Sequence, residues 1–186
     1  MKNKPFAELT EVLSGIETTD LKGKALDLHQ GILQAVKLIS RQNKKGNKLI
    51  FVGNGGSASI ASHMSTDFLK NLKIPALAFS DASLITCVSN DLGYENVFSV
   101  PIEVVAKKGD ILFAVSSSGK SKNILNAATS AKRKGCFVVS FSGFSRRNPL
   151  RGMGNINFYA PSLSYGAVEI AHLAICHAIV DILYKK

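Results

Sequence analysis

The sequence predicts an α/β protein of three layers, with a doubly wound parallel sheet between two layers of helices. Apolar runs at 48–52, 111–115 and 136–141 are nearly continuous, which is typical of parallel strands that are buried on both faces. Segments with helical periodicity follow these runs, so strands and helices alternate from residue 48 onward. In sheets of this kind, ligands bind beyond the carboxyl ends of the strands, and we expect the site there.

The other elements of this alternation are weaker but regular. Shorter apolar segments at 76–79 and 156–160 are predicted as two further strands. Helices are predicted after four of the strands, at 57–70, about 83–90, 121–134 and 165–184. We therefore expect residues 48–186 to form one structural unit.

The first part of the chain is predicted to be helical. Over residues 6–45, apolar side chains recur at helical spacing in two stripes, the first from Ala7 to Ile16 and the second from Leu26 to Ile39. Gly46 follows the second stripe, as a helix C-terminus requires. We expect these N-terminal helices, within 1–47, to pack on the domain or at an oligomer interface.

The composition is typical of a globular, cytoplasmic protein. The chain has 186 residues, 46% of them hydrophobic and 19% charged, which is enough to bury a core without disulfides or a structural metal. Cys87, Cys136 and Cys176 have apolar neighbours and no CxxC spacing, which indicates reduced, buried thiols. The first residues are polar and no apolar run approaches ~18 residues, so we expect neither a signal peptide nor a membrane-spanning helix.

The formal net charge is +10, and the distribution of the basic residues indicates which kinds of partner this charge favours. Basic residues stand in short groups, for example at 44–48, 132–134 and 146–147, and aromatic residues are not interleaved with them. This pattern favours solvated helix ends and loops, with attraction of anionic substrates as an alternative. It carries no signature of a nucleic-acid-binding module, so we expect no nucleic-acid partner.

Two loops resemble phosphate-binding loops. The glycine loop, Gly53-Asn-Gly-Gly-Ser57, follows the strand at 48–52 and opens a helix. The serine loop, Ser116-Ser-Ser-Gly-Lys-Ser121, follows the strand at 111–115 and opens another. Backbone N–H groups and the positive end of a helix dipole converge at such a loop, and hydroxyls add neutral donors. The pair of loops predicts a site for a phosphorylated metabolite.

Two other kinds of phosphate-binding loop fit these residues less well. Residues 53–58 also fit G-x-G-x-x-A, with Asp81 as a ribose-binding acid, but Asp81 stands farther along than the usual ~20 residues. Residues 114–121 approach the P-loop pattern, but Ala114 replaces its first glycine and no later strand ends in aspartate. We expect no nucleotide cofactor.

Acidic and imidazole side chains stand on the helices around these loops. His63 and Asp67 are four residues apart, so they are neighbours on one helix face. Glu169, His172 and His177 lie in the otherwise apolar last helix, where buried polar groups need partners. These residues are candidates for a metal or acid–base set, although a surface pair and a core histidine are the simpler alternatives. Glu169 and His177 are about 12 Å apart along the helix axis, so one ion joins them only if both side chains reach towards each other.

These blocks together resemble the sugar isomerase (SIS) domain family, and within it the phosphoheptose isomerases. The resemblance covers nearly the whole chain and is strongest at residues 53–58, His63, residues 90–95, residues 116–123 and the last helix. It implies a flavodoxin-like sandwich. It also implies that the substrate is contacted by residues of the two loops, of the 90–95 block and of the last helix, namely Asn54, Gly55, Gly56, Ser57, Asn90, Asp91, Ser116, Ser117, Ser118, Ser121 and Glu169.

The family's metal or acid–base set is a histidine and a glutamate four apart, then a glutamine and a histidine eight apart. The matching positions here carry His63, Asp67, Glu169 and His177. The resemblance therefore implies a zinc ion held by these four residues, with His172 as a further candidate ligand. Asp67 is one methylene shorter than the usual glutamate, and Glu169 adds a charge where the family has an amide, which favours a divalent cation.

The resemblance implies aldose–ketose isomerisation of a sugar phosphate, in which Asp67 or Glu169 acts as the base and His177 has the complementary role. The expected reaction converts sedoheptulose 7-phosphate to D-glycero-D-manno-heptose 7-phosphate for lipopolysaccharide or capsule synthesis. A homotetramer with sites at subunit boundaries is also implied. The alternative is a non-catalytic member, a regulator that binds the bacterial replication initiator or a phosphosugar sensor, which the altered Asp67 and Glu169 permit.

Overall fold

The computed structural model of the protein describes residues 6–185. Its helices, in chain order, are α1 (Ala7–Ser14), α2 (Leu28–Asn43), α3 (Gly56–Lys70), α4 (Ala82–Leu92), α5 (Ser99–Val105), α6 (Lys122–Arg133) and α7 (Tyr165–Tyr184). Its strands are β1 (Glu17–Asp20), β2 (Ala25–Leu26), β3 (Leu49–Val52), β4 (Ala76–Ala78), β5 (Ile111–Ser116), β6 (Phe137–Ser142) and β7 (Ile156–Tyr159). Short 3₁₀ helices lie at Tyr94–Asn96 and Pro149–Gly152.

The strands form one seven-stranded sheet in the order β2-β1-β7-β6-β5-β3-β4. Strands β3 to β7 pair in parallel. The chain runs from β3 outward to β4, then crosses back to β5 on the other side of β3, so the winding direction reverses between β3 and β5. Ligands of doubly wound sheets bind at the crevice that this reversal opens. The glycine loop follows β3 and the serine loop follows β5, so the fold brings both predicted loops to that crevice.

Helices cover both faces of the sheet, which confirms the predicted three layers. Each strand places side chains on both faces of the sheet, as two neighbouring residues of β3 show. Phe51 packs with α2, α3 and α7 on one face, and Ile50 packs with α4, α5 and α6 on the other. Both side chains are 1% exposed. Aromatic rings stack across the first face, with Phe113 5.8 Å from Phe141 and Phe141 5.2 Å from Phe158 between ring centroids. A core on each face fixes the strand ends that carry the loops.

The prediction that residues 6–45 are entirely helical was wrong between 17 and 26. This segment is a β-hairpin, in which β1 pairs antiparallel with both β2 and β7, so the sheet is mixed at this edge. The local chemistry favours the hairpin, because Thr18 and Thr19 are β-branched. The turn is held by Asp20, whose Oδ1 accepts hydrogen bonds of 2.9 Å from two backbone N–H groups. The apolar stripes on either side of this segment have helical spacing, and the prediction wrongly continued the helices through the residues between them.

Two smaller differences from the sequence-based expectations concern α5 and Cys87. The short helix α5 was not predicted. Cys87 is exposed, although Cys136 and Cys176 are buried as expected.

Helix α7 is long and apolar enough to span a membrane by length and composition, with a mean hydropathy of 1.7 over 18 residues. Core helices meet the same criterion, and α7 packs against α1, α2 and α3.

Candidate active site

The glycine loop presents bare backbone at the start of α3. Gly55 has a φ of 54° and a ψ of −124° and precedes the first residue of α3, and no side chain caps this helix end. Glycine is also needed two residues earlier, because a Cβ on Gly53 would lie 2.3 Å from the carbonyl oxygen of Ser57. The first N–H groups of a helix have no partner within the helix. They are therefore available to an anion, and the helix dipole favours one.

The serine loop repeats this arrangement at the start of α6. The N–H of Gly119 donates to the carbonyl oxygen of Ser116 at 3.0 Å, and Gly119 has a φ of 62°. The hydroxyl of Ser116 donates to that of Ser121 at 3.3 Å. The hydroxyl of Ser117 is buried and has no hydrogen-bond partner among residues 6–185. A buried hydroxyl without a partner is costly, so this atom is suited to a ligand oxygen.

The two loops line one cavity of about 350 Å³. Its polar lining comes from both helix N-termini and from α7. Every residue expected to contact substrate lines it, except Asn90 and Asp91 on α4. Two lining residues were not predicted from the sequence, Val115 in β5 and Tyr165 at the start of α7, because neither a buried strand residue nor a single exposed aromatic carries a motif. The lining residues are Asn54, Gly55, Gly56, Ser57, Val115, Ser116, Ser117, Ser118, Ser121, Tyr165 and Glu169.

Asn90 and Asp91 do not line this cavity. Both are exposed in the last turns of α4. The Asn90 amide donates to Oδ1 of Asp91 at 2.8 Å, and the thiol of Cys87 lies 3.7 Å from Oδ2 of Asp91. The predicted contact between these two residues and a substrate has no counterpart in the cavity of the same chain.

Three of the predicted metal or acid–base residues come together beside the cavity. Oδ2 of Asp67 lies 3.3 Å from Nε2 of His63 and 3.9 Å from Nδ1 of His177. One ligand atom from each of the three residues lies within 4.8 Å of the others. Two imidazoles and a carboxylate are typical zinc ligands. The donor set therefore fits a metal ion, and it equally fits a proton-transfer pair.

Glu169 lies outside this group, between it and the loops. A Cβ on Gly56 would lie 2.2 Å from Oε2 of Glu169, so the carboxylate rests against the first residue of α3. Glu169 and Gly56 also line a second cavity of about 280 Å³, which His63 borders. The side chain of Glu169 thus reaches the α3 N-terminus instead of turning along α7 towards His177. Both cavities meet at this carboxylate.

His172, the further metal candidate, is a core residue. It is fully buried, and its Nε2 lies 3.1 Å from the carbonyl oxygen of Ser142. Burial lowers the pKa of His172 to about 4, against a weaker raising effect of the Ser142 hydrogen bond. The ring packs edge-on against Phe141. Its expected part in a metal site was wrong, because α7 directs it into the sheet, away from His63 and Asp67.

Comparisons with known proteins show which family the chain is similar to. The SIS domain family matches residues 17–143. The chain is 35% identical over 179 residues to a phosphoheptose isomerase of Vibrio cholerae, covering 91% of this chain and 93% of the relative. It is 37% identical over 160 residues to one of Haemophilus ducreyi, covering 83% and 82%.

Solved structures share the fold. A phosphoheptose isomerase from Neisseria gonorrhoeae superposes with a TM-score of 0.86 at 24% identity, covering 97% of this chain and 95% of that one. One from Francisella tularensis has a TM-score of 0.79 at 30% identity, covering 84% and 86%. The chain therefore belongs to the SIS domain family and, within it, to the phosphoheptose isomerases.

Proposed function

We propose that the protein is an aldose–ketose isomerase that converts sedoheptulose 7-phosphate to D-glycero-D-manno-heptose 7-phosphate, for the heptose of surface glycans. One observation carries the proposal. The cavity lined by two anion-binding loops adjoins a carboxylate held between two imidazoles, and the two regions meet at Gly56 and Glu169. Phosphate binding and proton transfer are the two tasks of such an isomerase, and these regions supply one each.

The phosphate end is assigned to the two loops. Their N–H groups and hydroxyls, including the unpartnered hydroxyl of Ser117, bind a phosphate ester without a cationic side chain. The phosphate is several carbons from the reacting carbonyl, so its binding energy orients the other end of the sugar. The open-chain sugar then extends past Glu169 towards Asp67.

The proton transfer is assigned to Asp67 and His177. Asp67 removes a proton from C1 of the ketose and returns one to C2, and the proton of the C1 hydroxyl moves to the C2 oxygen through His177. The electron pair of the broken C1–H bond forms the C1=C2 bond of an enediolate and then the new C2–H bond, and the electron pair of the C1 O–H bond forms the new carbonyl at C1 while the C2 oxygen becomes a hydroxyl. Asp67 is favoured over Glu169 as the base because its Oδ2 faces both imidazoles, at 3.3 and 3.9 Å.

A zinc ion is proposed at His63, Asp67 and His177, with one ligand atom from each residue, so that the other carboxylate oxygen of Asp67 and the other ring nitrogen of His177 carry the proton transfer. When bound, it supplies Lewis-acid stabilisation of negative charge on the sugar oxygens. The mixed imidazole and carboxylate donor set supports this choice, and the charge of Glu169 nearby adds to the attraction for a cation. Metal analysis of the purified protein, with and without chelator treatment, tests it. One zinc per chain supports the site, and full activity in metal-free protein contradicts it.

A homotetramer in the cytoplasm is proposed as the working form. Ile170 on α7 lines the second cavity and is 49% exposed. Leu163, two residues before α7, is 79% exposed, and a second chain would cover both. Asn90 and Asp91, exposed and outside the cavity of their own chain, are then free to contact the substrate of a neighbour. Gel filtration at micromolar concentration tests the assembly, and a monomer there contradicts it.

The activity is tested by incubating the protein with a panel of ketose phosphates and following the aldose by NMR. Sedoheptulose 7-phosphate should give the heptose aldose, and His177→Ala should give none. A phosphosugar sensor is the second candidate, and it is favoured by the shortened Asp67 and the charged Glu169. Binding of the ketose phosphate without any aldose or C–H exchange would support the sensor and contradict the isomerase.

A further inference from the structure

The side-chain amides of Asn54 and Asn123 form a closed pair that joins the two loops. Nδ2 of Asn54 donates to Oδ1 of Asn123 at 2.9 Å, and Nδ2 of Asn123 donates to Oδ1 of Asn54 at 2.9 Å. Asn54 belongs to the glycine loop, and Asn123 is the second residue of α6, directly after the serine loop. The hydroxyl of Tyr94 also donates to Oδ1 of Asn54, at 3.0 Å.

The contacts of Asn54 with Asn123 and Tyr94 use both acceptor sites of its amide and one of its two N–H groups. An amide oxygen has two acceptor sites, and in Asn54 both are taken, one by Asn123 and one by Tyr94. Asn123 is 2% exposed, so it cannot exchange its partner for water. Loss of Asn54 would leave the buried Asn123 amide without this partner, which is costly, and loss of Asn123 would leave the half-buried Asn54 with Tyr94 alone.

We propose that Asn54, Asn123 and Tyr94 are positioning residues that fix the distance between the two anion-binding loops. In this account Asn54 lines the cavity through its place in the loop, and its side chain holds α6 instead of the sugar. The loops turn at glycines with positive φ, Gly55 and Gly119, and each follows a different strand. Donors from both loops must converge on one phosphate, and small displacements of such donors are costly. The inference rests on the proposed function and deepens it.

A double-mutant cycle tests the pair. Asn54→Ala, Asn123→Ala and the double variant are compared with wild type by the Kd for sedoheptulose 7-phosphate, measured by calorimetry, and by kcat. Each single variant should raise Kd about tenfold, and the double variant should raise it by about the same factor. kcat should change by less than about threefold, since the reacting groups are not touched. If instead the two effects multiply, Asn54 acts on the substrate independently of Asn123 and the proposal is overturned.

Two further variants separate positioning from folding. Tyr94 is 52% exposed, so Tyr94→Phe removes only the hydroxyl and should fold; it should raise Kd about threefold, and an unchanged Kd would contradict the role of Tyr94. Asn155→Ala is the matched control, because Oδ1 of Asn155 accepts from the N–H of Val138 at 2.8 Å, at the opposite end of β6. It should lower the melting temperature and leave Kd unchanged.

Failure of the pair and failure of the proposed function give different results. If the wild-type protein binds sedoheptulose 7-phosphate without turnover, the proposed isomerase activity is contradicted. The Kd values of the four proteins in the double-mutant cycle still test the pair. If the effects of the two single substitutions on Kd multiply in the double variant, the positioning role of the pair is contradicted, whether or not the protein turns the substrate over. Inorganic phosphate serves as a second probe, and wild-type protein that binds neither compound overturns both proposals.

Discussion

The carboxylate of Glu169 rests against Gly56, the first residue of α3, where a Cβ would lie 2.2 Å from its Oε2. A negative charge therefore occupies the positive end of a helix that also lines the proposed phosphate cavity. It interacts favourably with the helix in the free protein. It also opposes any anion that binds at the same helix end, which in the proposed binding mode is the substrate's phosphate.

Replacing Glu169 by glutamine should strengthen substrate binding. Glu169→Gln keeps the shape of the side chain and removes the charge, so KM should fall about threefold to tenfold, and kcat should stay within about tenfold. Asp67→Asn, the matched change at the proposed base, should lower kcat by about 10² or more. Steady-state kinetics on both variants decides the assignment. A large kcat loss in Glu169→Gln with a small one in Asp67→Asn would identify Glu169 as the base.

His177 should be required for turnover and dispensable for phosphate binding. His177→Ala should lower kcat by about 10² to 10⁴, while sedoheptulose 7-phosphate still protects the protein against heat. His29→Ala is the control, because His29 is exposed on α2 and has no assigned role. A coupled assay and a thermal melt with and without substrate measure both effects. A near-normal rate in His177→Ala would remove this residue from the mechanism.

Two buried serines should respond in opposite ways to alanine. Ser117 has a hydroxyl with no partner in the described part of the chain, so Ser117→Ala should leave stability unchanged or raise it slightly, and should raise KM about tenfold. Ser140 donates to Oδ1 of Asn157, so Ser140→Ala should cost about 1 to 3 kcal/mol of unfolding free energy and leave KM unchanged. Urea unfolding and KM on both variants make the comparison. Equal KM values in Ser117→Ala and wild type would contradict a phosphate contact.

His172 should make stability depend on pH on the acid side. Its pKa is lowered to about 4 by burial, against an ordinary value of about 6.5 in the unfolded chain. The unfolded state therefore binds the proton first, so this contribution is fully present above about pH 6.5 and is lost as the pH falls towards 4. The loss should reach roughly 3 kcal/mol. Urea unfolding at several pH values should show this extra loss in wild type relative to His172→Gln, and parallel curves would contradict it.

The elements that could be predicted from the sequence are those whose apolar residues recur at a regular spacing. Buried parallel strands and amphipathic helices each follow from local spacing, and so did the position of both loops at the strand ends. The hairpin at 17–26 did not, because β1 depends on pairing with β7, about 140 residues away. Thr18 and Thr19 were the local signal, but the apolar stripes on either side were stronger.

The site could be predicted only as far as motif and helical spacing reach. His63 and Asp67 are neighbours because of their spacing in α3, and His177 joins them because α7 packs on α3. Nothing local shows that Glu169 extends to Gly56, or that Asn123 pairs with Asn54. These contacts depend on how α7 and α6 are placed against the loops, which is a property of the packed structure.

The most direct test is a crystal structure of the protein with sedoheptulose 7-phosphate bound. Its phosphate should lie between the glycine loop and the serine loop, within hydrogen-bond distance of the Ser117 hydroxyl, with C1 and C2 directed towards Asp67 and His177. A phosphate bound elsewhere, or a sugar whose C1 and C2 point away from Asp67, would contradict the account.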